Sequence, residues 1–171
     1  MNAISKPTIN WSTRRDEKRR RMDTVSSIVN GKVIPTQQIN TALESLIKSG
    51  DKVVLEGNNQ KQADFLSRSL STINPDVVNH LHMIMPSVGR PEHLDLFENG
   101  IARKLDFSFS GQQSLRIGQL MEDGLLEVGA IHTYIELYAR LYVDLTPSVA
   151  LLTGFKADRA GNIYTGPSTE D

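Results

Sequence analysis

One stretch limits this chain's architecture more than any other, residues 52–70 of its 171. It begins after the turn pair Gly50-Asp51 with an apolar run, Val53, Val54 and Leu55, β-branched at two of three positions. A short run of that kind suits a strand covered on both faces, as in a parallel sheet. Glu56, Gly57, Asn58 and Asn59 then interrupt it with residues that favour turns. Beyond them Ala63, Leu66, Leu70 and Ile73 recur at spacings of three, four and three, one face of a helix. The pattern predicts strand, tight polar loop, helix.

The free N–H groups and dipole at such a junction favour a bound carboxylate, phosphate or oxyanion. The dipole contributes on the order of 0.3–1 kcal/mol per interaction, so it orients a ligand rather than binding it alone. The amides of Asn58, Asn59, Gln60 and Gln62 add neutral donors and acceptors. The same loop also serves as a plain connection in α/β proteins, so the pattern alone leaves both readings open.

Further along, the alternation repeats. Asn30-Gly31 between short apolar pieces predicts a small hairpin, and Thr36 is expected to cap a helix carrying Ile39, Ala42, Leu43, Leu46 and Ile47, ending at Gly50. Residues 77–85 read as a second strand, with His80 and His82 on one of its faces. Packing or hydrogen bonding outweighs metal binding for that pair, because no carboxylate stands at ligand spacing. A loop at 86–91, a short helix at 92–99 and a stop at Gly100 follow.

Residues 105–109 alternate with period two as a strand, and Ser110-Gly111 turns into a helix carrying Leu115, Leu120 and Met121, closed by Gly124. Ser108 and Ser110 therefore lie near a second helix N-terminus, where capping or ligand hydrogen bonding is the expected role. Residues 125–128 read as a strand. Residues 131–142 read as a helix apolar around much of its circumference and so largely buried. His132 and Glu136 stand four apart there, the spacing of an acid/base pair or an ordinary hydrogen bond. Val149–Thr153 is the last clear strand candidate. Strands alternating with helices through short connections predict a parallel sheet with helices on both faces.

Composition excludes several function classes. With no cysteine there is no disulfide, thiolate metal site or cysteine nucleophile. A net charge of −1 gives no overall drive toward nucleic acid or anionic membrane. No apolar run reaches the roughly 18 residues of a membrane span, so a cytoplasmic protein is expected. Residues 1–23 form a separate N-terminal arm or helix, with residues 24–171 as the α/β domain. The arm's basic run of Arg14, Arg15, Lys18, Arg19, Arg20 and Arg21 reads either as a nucleic-acid or anionic-partner arm or as a solvated N-terminal helix whose Trp11 packs on a neighbour. The second reading is favoured, because aromatic residues do not interleave with the charges. No closing helix follows the last strand candidate, so the fold is expected to be incomplete at the C-terminus.

Several motifs now converge. Residues 149–164, with an Ala-Asp-x-x-Gly-Asn hairpin at 157–162, resemble the family I coenzyme A transferases. Residues 55–66, 105–111, 129–134, 144–147 and 164–167 resemble one branch of that superfamily, the malonate decarboxylase α subunits. The resemblance runs from about Trp11 to the end. It implies a three-layer α/β/α fold and an acyl-carrier-protein transferase that exchanges acetyl for malonyl on a carrier thioester. It also implies an acyl carrier protein and decarboxylase subunits as partners, with malonate and acetate as substrate and product. The bound arm would be a carrier prosthetic group of phosphoribosyl-dephospho-CoA type, without a tightly bound cofactor or metal. Gly57, Asn58, Asn59 and Gln60, with Ser108, Ser110 and Gly111, are the expected acyl or pantetheine contacts. The nucleophilic glutamate of related transferases belongs to the second half of those enzymes and is expected beyond residue 171, so Glu56 reads as a strand-end acid making local hydrogen bonds. The alternatives are a catalytically silent binding or scaffold fragment, a citrate lyase α subunit, or a true coenzyme A transferase.

Overall fold

A computed structural model describes residues 11–56 and 64–166. Helix α1 (Trp11–Thr24) and helix α2 (Ile39–Leu46) precede strand β1 (Lys52–Leu55). Helix α3 (Asp64–Ser71), β2 (Leu81–Ser87), α4 (Glu92–Glu98), β3 (Ala102–Phe109), α5 (Ser114–Glu122), β4 (Glu127–Ile131), α6 (Tyr134–Val143) and β5 (Val149–Leu151) follow in alternation. A two-stranded antiparallel hairpin, β6 (Lys156–Ala157) and β7 (Ile163–Tyr164), closes the described chain.

The five strands form one sheet in the order β4-β3-β2-β1-β5, parallel at every pairing. One face packs Val53, Leu55, Met83, Met85, Leu105 and Phe107 against apolar side chains of α2 to α5. The other face packs Val54 and Ile84 against Leu137, Leu141 and Leu145 of α6 and the turn after it. The expected layering is therefore present, with α6 supplying the second helical layer. The chain walks from β1 to β4 in one direction, then returns through α6 to place β5 on the far side of β1.

Several local expectations need correction. Trp11 is 80% exposed, met by Arg14 of its own helix 5.7 Å from the ring centroid rather than enclosed by another element. The Asn30-Gly31 hairpin is a single bridge between Asn30 and Val33, with Gly31 at φ +66°. Thr36 begins a 3-10 turn, Thr36–Gln38, and caps nothing, and α2 stops at Leu46 before Gly50. The second strand starts at Leu81 rather than at 77. Both Val77 N–H and Val78 N–H bond Asn74 O at 3.0 Å, and His80 adopts φ +55°, so residues 74–80 are a turn. Pro86 and Ser87 belong to β2, which runs past its last β1 partner at Val54.

Helix α5 buries Ile117 and Leu120, while Leu115 and Met121 face outward. The largest departure is α6. It starts at Tyr134, because Thr133 caps it by accepting Glu136 N–H at 3.2 Å, and Ile131 belongs to β4. Only Leu137 of the helix is buried, and Ile135, Tyr142 and Val143 are exposed. Apolar periodicity identified the helix but overstated what covers it.

Candidate functional site at the carboxyl edge of the sheet

Strand order reverses between β1 and β5, and in open α/β sheets ligands bind outside the carboxyl ends of the strands at such a reversal. Glu56 sits at that point. Its N–H donates to Leu151 O at 3.1 Å, and its carboxylate, 4% exposed as a residue, accepts Thr153 N–H. Glu56 thus ties the ends of β1 and β5 together, through bonds to residues far along the chain rather than the local ones expected. Gly57, Asn58, Asn59 and Gln60 lie outside the described residues.

Ser108, Ser110 and Gly111 lie at the carboxyl end of β3. With β2 between, β3 is two strand spacings from β1, roughly 10 Å. Gly111 has φ +49°, and a Cβ there would stand 3.0 Å from the Phe109 ring, so the turn requires glycine. Ser110 does not cap the helix through a backbone N–H. Its hydroxyl meets Ser114 Oγ at 2.8 Å, and Ser114 Oγ donates to Gly111 O. Ser108 Oγ is buried without a partner. Neither serine hydroxyl meets a histidine or a carboxylate among the described residues.

Between these loops, the β2–α4 connection carries polar atoms that sequence reasoning passed over. Arg90 Nε and Glu92 Oε2 are buried without hydrogen-bond partners, although the two side chains approach within 3.5 Å. His93 is completely buried with both ring nitrogens unpartnered. Burial pushes its imidazole down to about 4, against the opposing charge of Glu92, so it is neutral at ordinary pH.

A second cluster lies beneath α6. Asp106 accepts from His82 Nε2 on one oxygen and from His132 Nε2 on the other, each at 2.6 Å. His132 is not on a helix with Glu136, as expected, but in the β4–α6 connection. Its Nδ1 comes within 3.5 Å of Glu136 Oε1, and Glu136 lies 4.0 Å from Arg140, which pairs with Asp144. With both Asp106 oxygens engaged, this cluster anchors α6 to the sheet rather than offering a base to a ligand. Gly129 makes the room, since a Cβ there would collide with Asp106 Oδ2, and the β3–β4 register shifts between Leu105 and Asp106. His80 turns away and meets Asn79 Oδ1, so the expected histidine pair does not form. No group of three or more potential metal ligands occurs among the described residues.

Comparison with known proteins places this geometry. The family model described as malonate decarboxylase, alpha subunit, transporter matches residues 10–171. The chain belongs to the malonate decarboxylase α-subunit family. Within it, the chain is 44% identical over 162 residues to the acetyl-S-ACP:malonate ACP transferase of Malonomonas rubra, covering 94% of this chain and 29% of that protein. A malonate decarboxylase α subunit from Acinetobacter baumannii superposes with a TM-score of 0.92 at 70% identity, over 95% of this chain and 30% of that one. A Pseudomonas malonate decarboxylase hetero-tetramer in complex with malonate gives 0.92 at 72% identity, over 96% of this chain and 30% of that one. The chain therefore spans about 30% of the length of these α-subunit relatives. Among the described residues no helix is long and apolar enough to cross a membrane.

Proposed function

We propose that this chain contributes the acyl-receiving edge of an acyl-carrier-protein transferase, which converts acetyl-carrier and malonate into malonyl-carrier and acetate. One observation carries the reading: the relative that bears this activity in its name is 44% identical across 94% of the chain. The reversal point between β1 and β5 supports it, because ligands of open α/β sheets bind there.

In this reading the partners are an acyl carrier protein and decarboxylase subunits, and the acyl group rides on a phosphoribosyl-dephospho-CoA-type arm. Exchange between a carboxylate and a thioester passes through charged tetrahedral states that need donors fixed in advance. Gly57, Asn58, Asn59 and Gln60 supply them at β1, while Ser108, Ser110 and Gly111 line the far side of the pocket. Glu56 holds the two strand ends in register and does not act as the nucleophile.

The test incubates full-length protein with acetyl-carrier and labelled malonate and weighs the carrier by mass spectrometry. Appearance of malonyl-carrier with equimolar acetate supports the proposal. Labelled carrier appearing with citrate instead of malonate, or acyl transfer to free coenzyme A alone, contradicts it.

A further inference from the structure

Unsatisfied polarity concentrates in the connection from β2 to α4. Among the described residues six buried side-chain polar atoms lack a hydrogen-bond partner, and four of them belong to residues 90–93: Arg90 Nε, Glu92 Oε2 and both ring nitrogens of His93. Native folds pair nearly all such atoms, so a concentration of unpaired ones marks a place where a partner enters. His93 is fully enclosed, but the Arg90 side chain is 24% exposed and open to a ligand from outside. Arg90 Nε stands 3.5 Å from Glu92 Oε2, an ion pair without a hydrogen bond. The guanidinium carries further N–H donors, and no other polar partner of Arg90 occurs among the described residues.

The position of Arg90 narrows the chemistry of that partner. Val88 N–H donates to Phe109 O at 2.7 Å, so the chain passes the carboxyl ends of β2 and β3 just before Arg90. Strand β2 lies between β1 and β3, the two strands whose carboxyl-end residues are assigned to the acyl group. Those residues, 57–60 and 108–111, include no charged side chain. They suit an oxyanion or a neutral acetyl group, whereas malonyl brings a free carboxylate that acetyl lacks. Arg116 fixes the connection in place, donating to Pro91 O at 2.9 Å while pairing with Asp95 and Glu98.

We propose that Arg90 is a specificity-determining residue of the exchange, its guanidinium gripping the free carboxylate by which malonyl differs from acetyl. The proposal rests on the reading of the chain as part of an acetyl-for-malonyl transferase. Arginine takes a carboxylate through two parallel N–H···O bonds, each roughly twice as strong as a neutral one. The cation must also tolerate the other half of the cycle, when acetyl offers it no charge. A buried cation left alone is costly. Glu92 meets that need: close enough to neutralise Arg90, yet not hydrogen-bonded to it, so it yields to substrate. His93 beside them is held neutral by burial and adds no competing charge.

The experiment compares full-length wild type, Arg90→Gln and Arg90→Lys in exchange on acetyl-carrier with two acceptors. One is malonate, and the other is its half-amide, in which a neutral amide of the same shape replaces one carboxylate. Thermal unfolding reports that each variant is folded. In Arg90→Gln the ratio of kcat/KM for malonate to that for the half-amide is expected to fall at least tenfold, chiefly through the KM for malonate. Arg90→Lys, which keeps the charge and loses the fork, is expected to fall between, and it decides the question if Arg90→Gln does not fold. An unchanged ratio overturns the proposal. So does an equal loss for both acceptors, the mark of a structural role, or a raised KM confined to the carrier, which assigns Arg90 to a phosphate of the arm. Wild type that transfers no malonyl group refutes the transferase reading and the proposal with it. Wild type that transfers malonyl while the variants keep its selectivity refutes the proposal alone.

Discussion

His132 Nε2 lies 2.6 Å from Asp106 Oδ1, with the imidazole fully enclosed and the carboxylate almost so. His82 holds the other oxygen at the same distance, so a charge-bearing group inside the fold has every acceptor satisfied. Removing one member of such a buried set leaves the others uncompensated. Asp106→Ala is expected to destabilise the protein by about 3–5 kcal/mol. Asp106→Asn, which retains one acceptor, should cost about 1–3 kcal/mol. Urea unfolding of the two variants at neutral pH measures both.

The same carboxylate explains why β4 needs glycine at 129. Gly129→Ala places a methyl group against Asp106 Oδ2 and the Lys104 side chain, on an edge strand that can shift only by disturbing its β3 register. The expected cost is about 1–3 kcal/mol. Adding Asp106→Ala to Gly129→Ala should cost less than the sum of the single changes, because the collision with the carboxylate is gone and only the flexible Lys104 side chain must move. A double-mutant cycle by thermal or urea unfolding gives the coupling directly.

His93 makes stability depend on pH in one direction. Burial lowers its folded-state value to about 4 from an ordinary 6.5. Between those values the unfolded chain binds the proton and the folded chain does not, so stability rises with pH across the window. The contribution is full above about 6.5 and is lost as pH falls toward 4. It is worth roughly 3 kcal/mol at most, taking ~1.4 kcal/mol per unit. His93→Leu should flatten unfolding free energy between pH 7 and 5 relative to wild type. An identical slope in the variant would assign the pH dependence to other groups.

What sequence reveals and what it hides divide along physical lines. Val53 to Leu55 and the face set by Leu66, Leu70 and Ile73 identified a strand and helix because local periodicity reports which side chains face a core. Asp106 was invisible as a buried group. Period two assigned it to a polar face, but in a parallel sheet both faces are covered, and α6 comes from residues 28 positions and more downstream. The link from Asp106 to His132 depends on the β3–β4 pairing and on a register shift, neither of which leaves a local pattern. The same limit applied to α6: its apolar circumference identified a helix, while exposure of Ile135 and Tyr142 depends on what else packs there. His93 is the second residue of a short helix, just before the first of its leucines, and nothing in its spacing distinguishes an enclosed imidazole from a solvated one.

Asp51 is the anchor for α1, accepting from the Arg21 fork and from Lys48 N–H at 2.9 Å. Asp51→Ala should loosen α1 while leaving the sheet intact, with a global cost of about 1–2 kcal/mol. Hydrogen exchange is the appropriate readout. Amides of residues 12–24 are expected to exchange at least tenfold faster, and those of β2 and β3 at the wild-type rate.

The central claim is that the connection leaving β1 holds the acyl group during transfer. Its most direct test is the steady-state rate of malonyl-for-acetyl exchange on the carrier by full-length protein, wild type against Asn58→Ala/Asn59→Ala. The expected result is a kcat/KM lower by about 100-fold, the scale of losing oxyanion donors, with unchanged thermal stability. Turnover equal to wild type would contradict it.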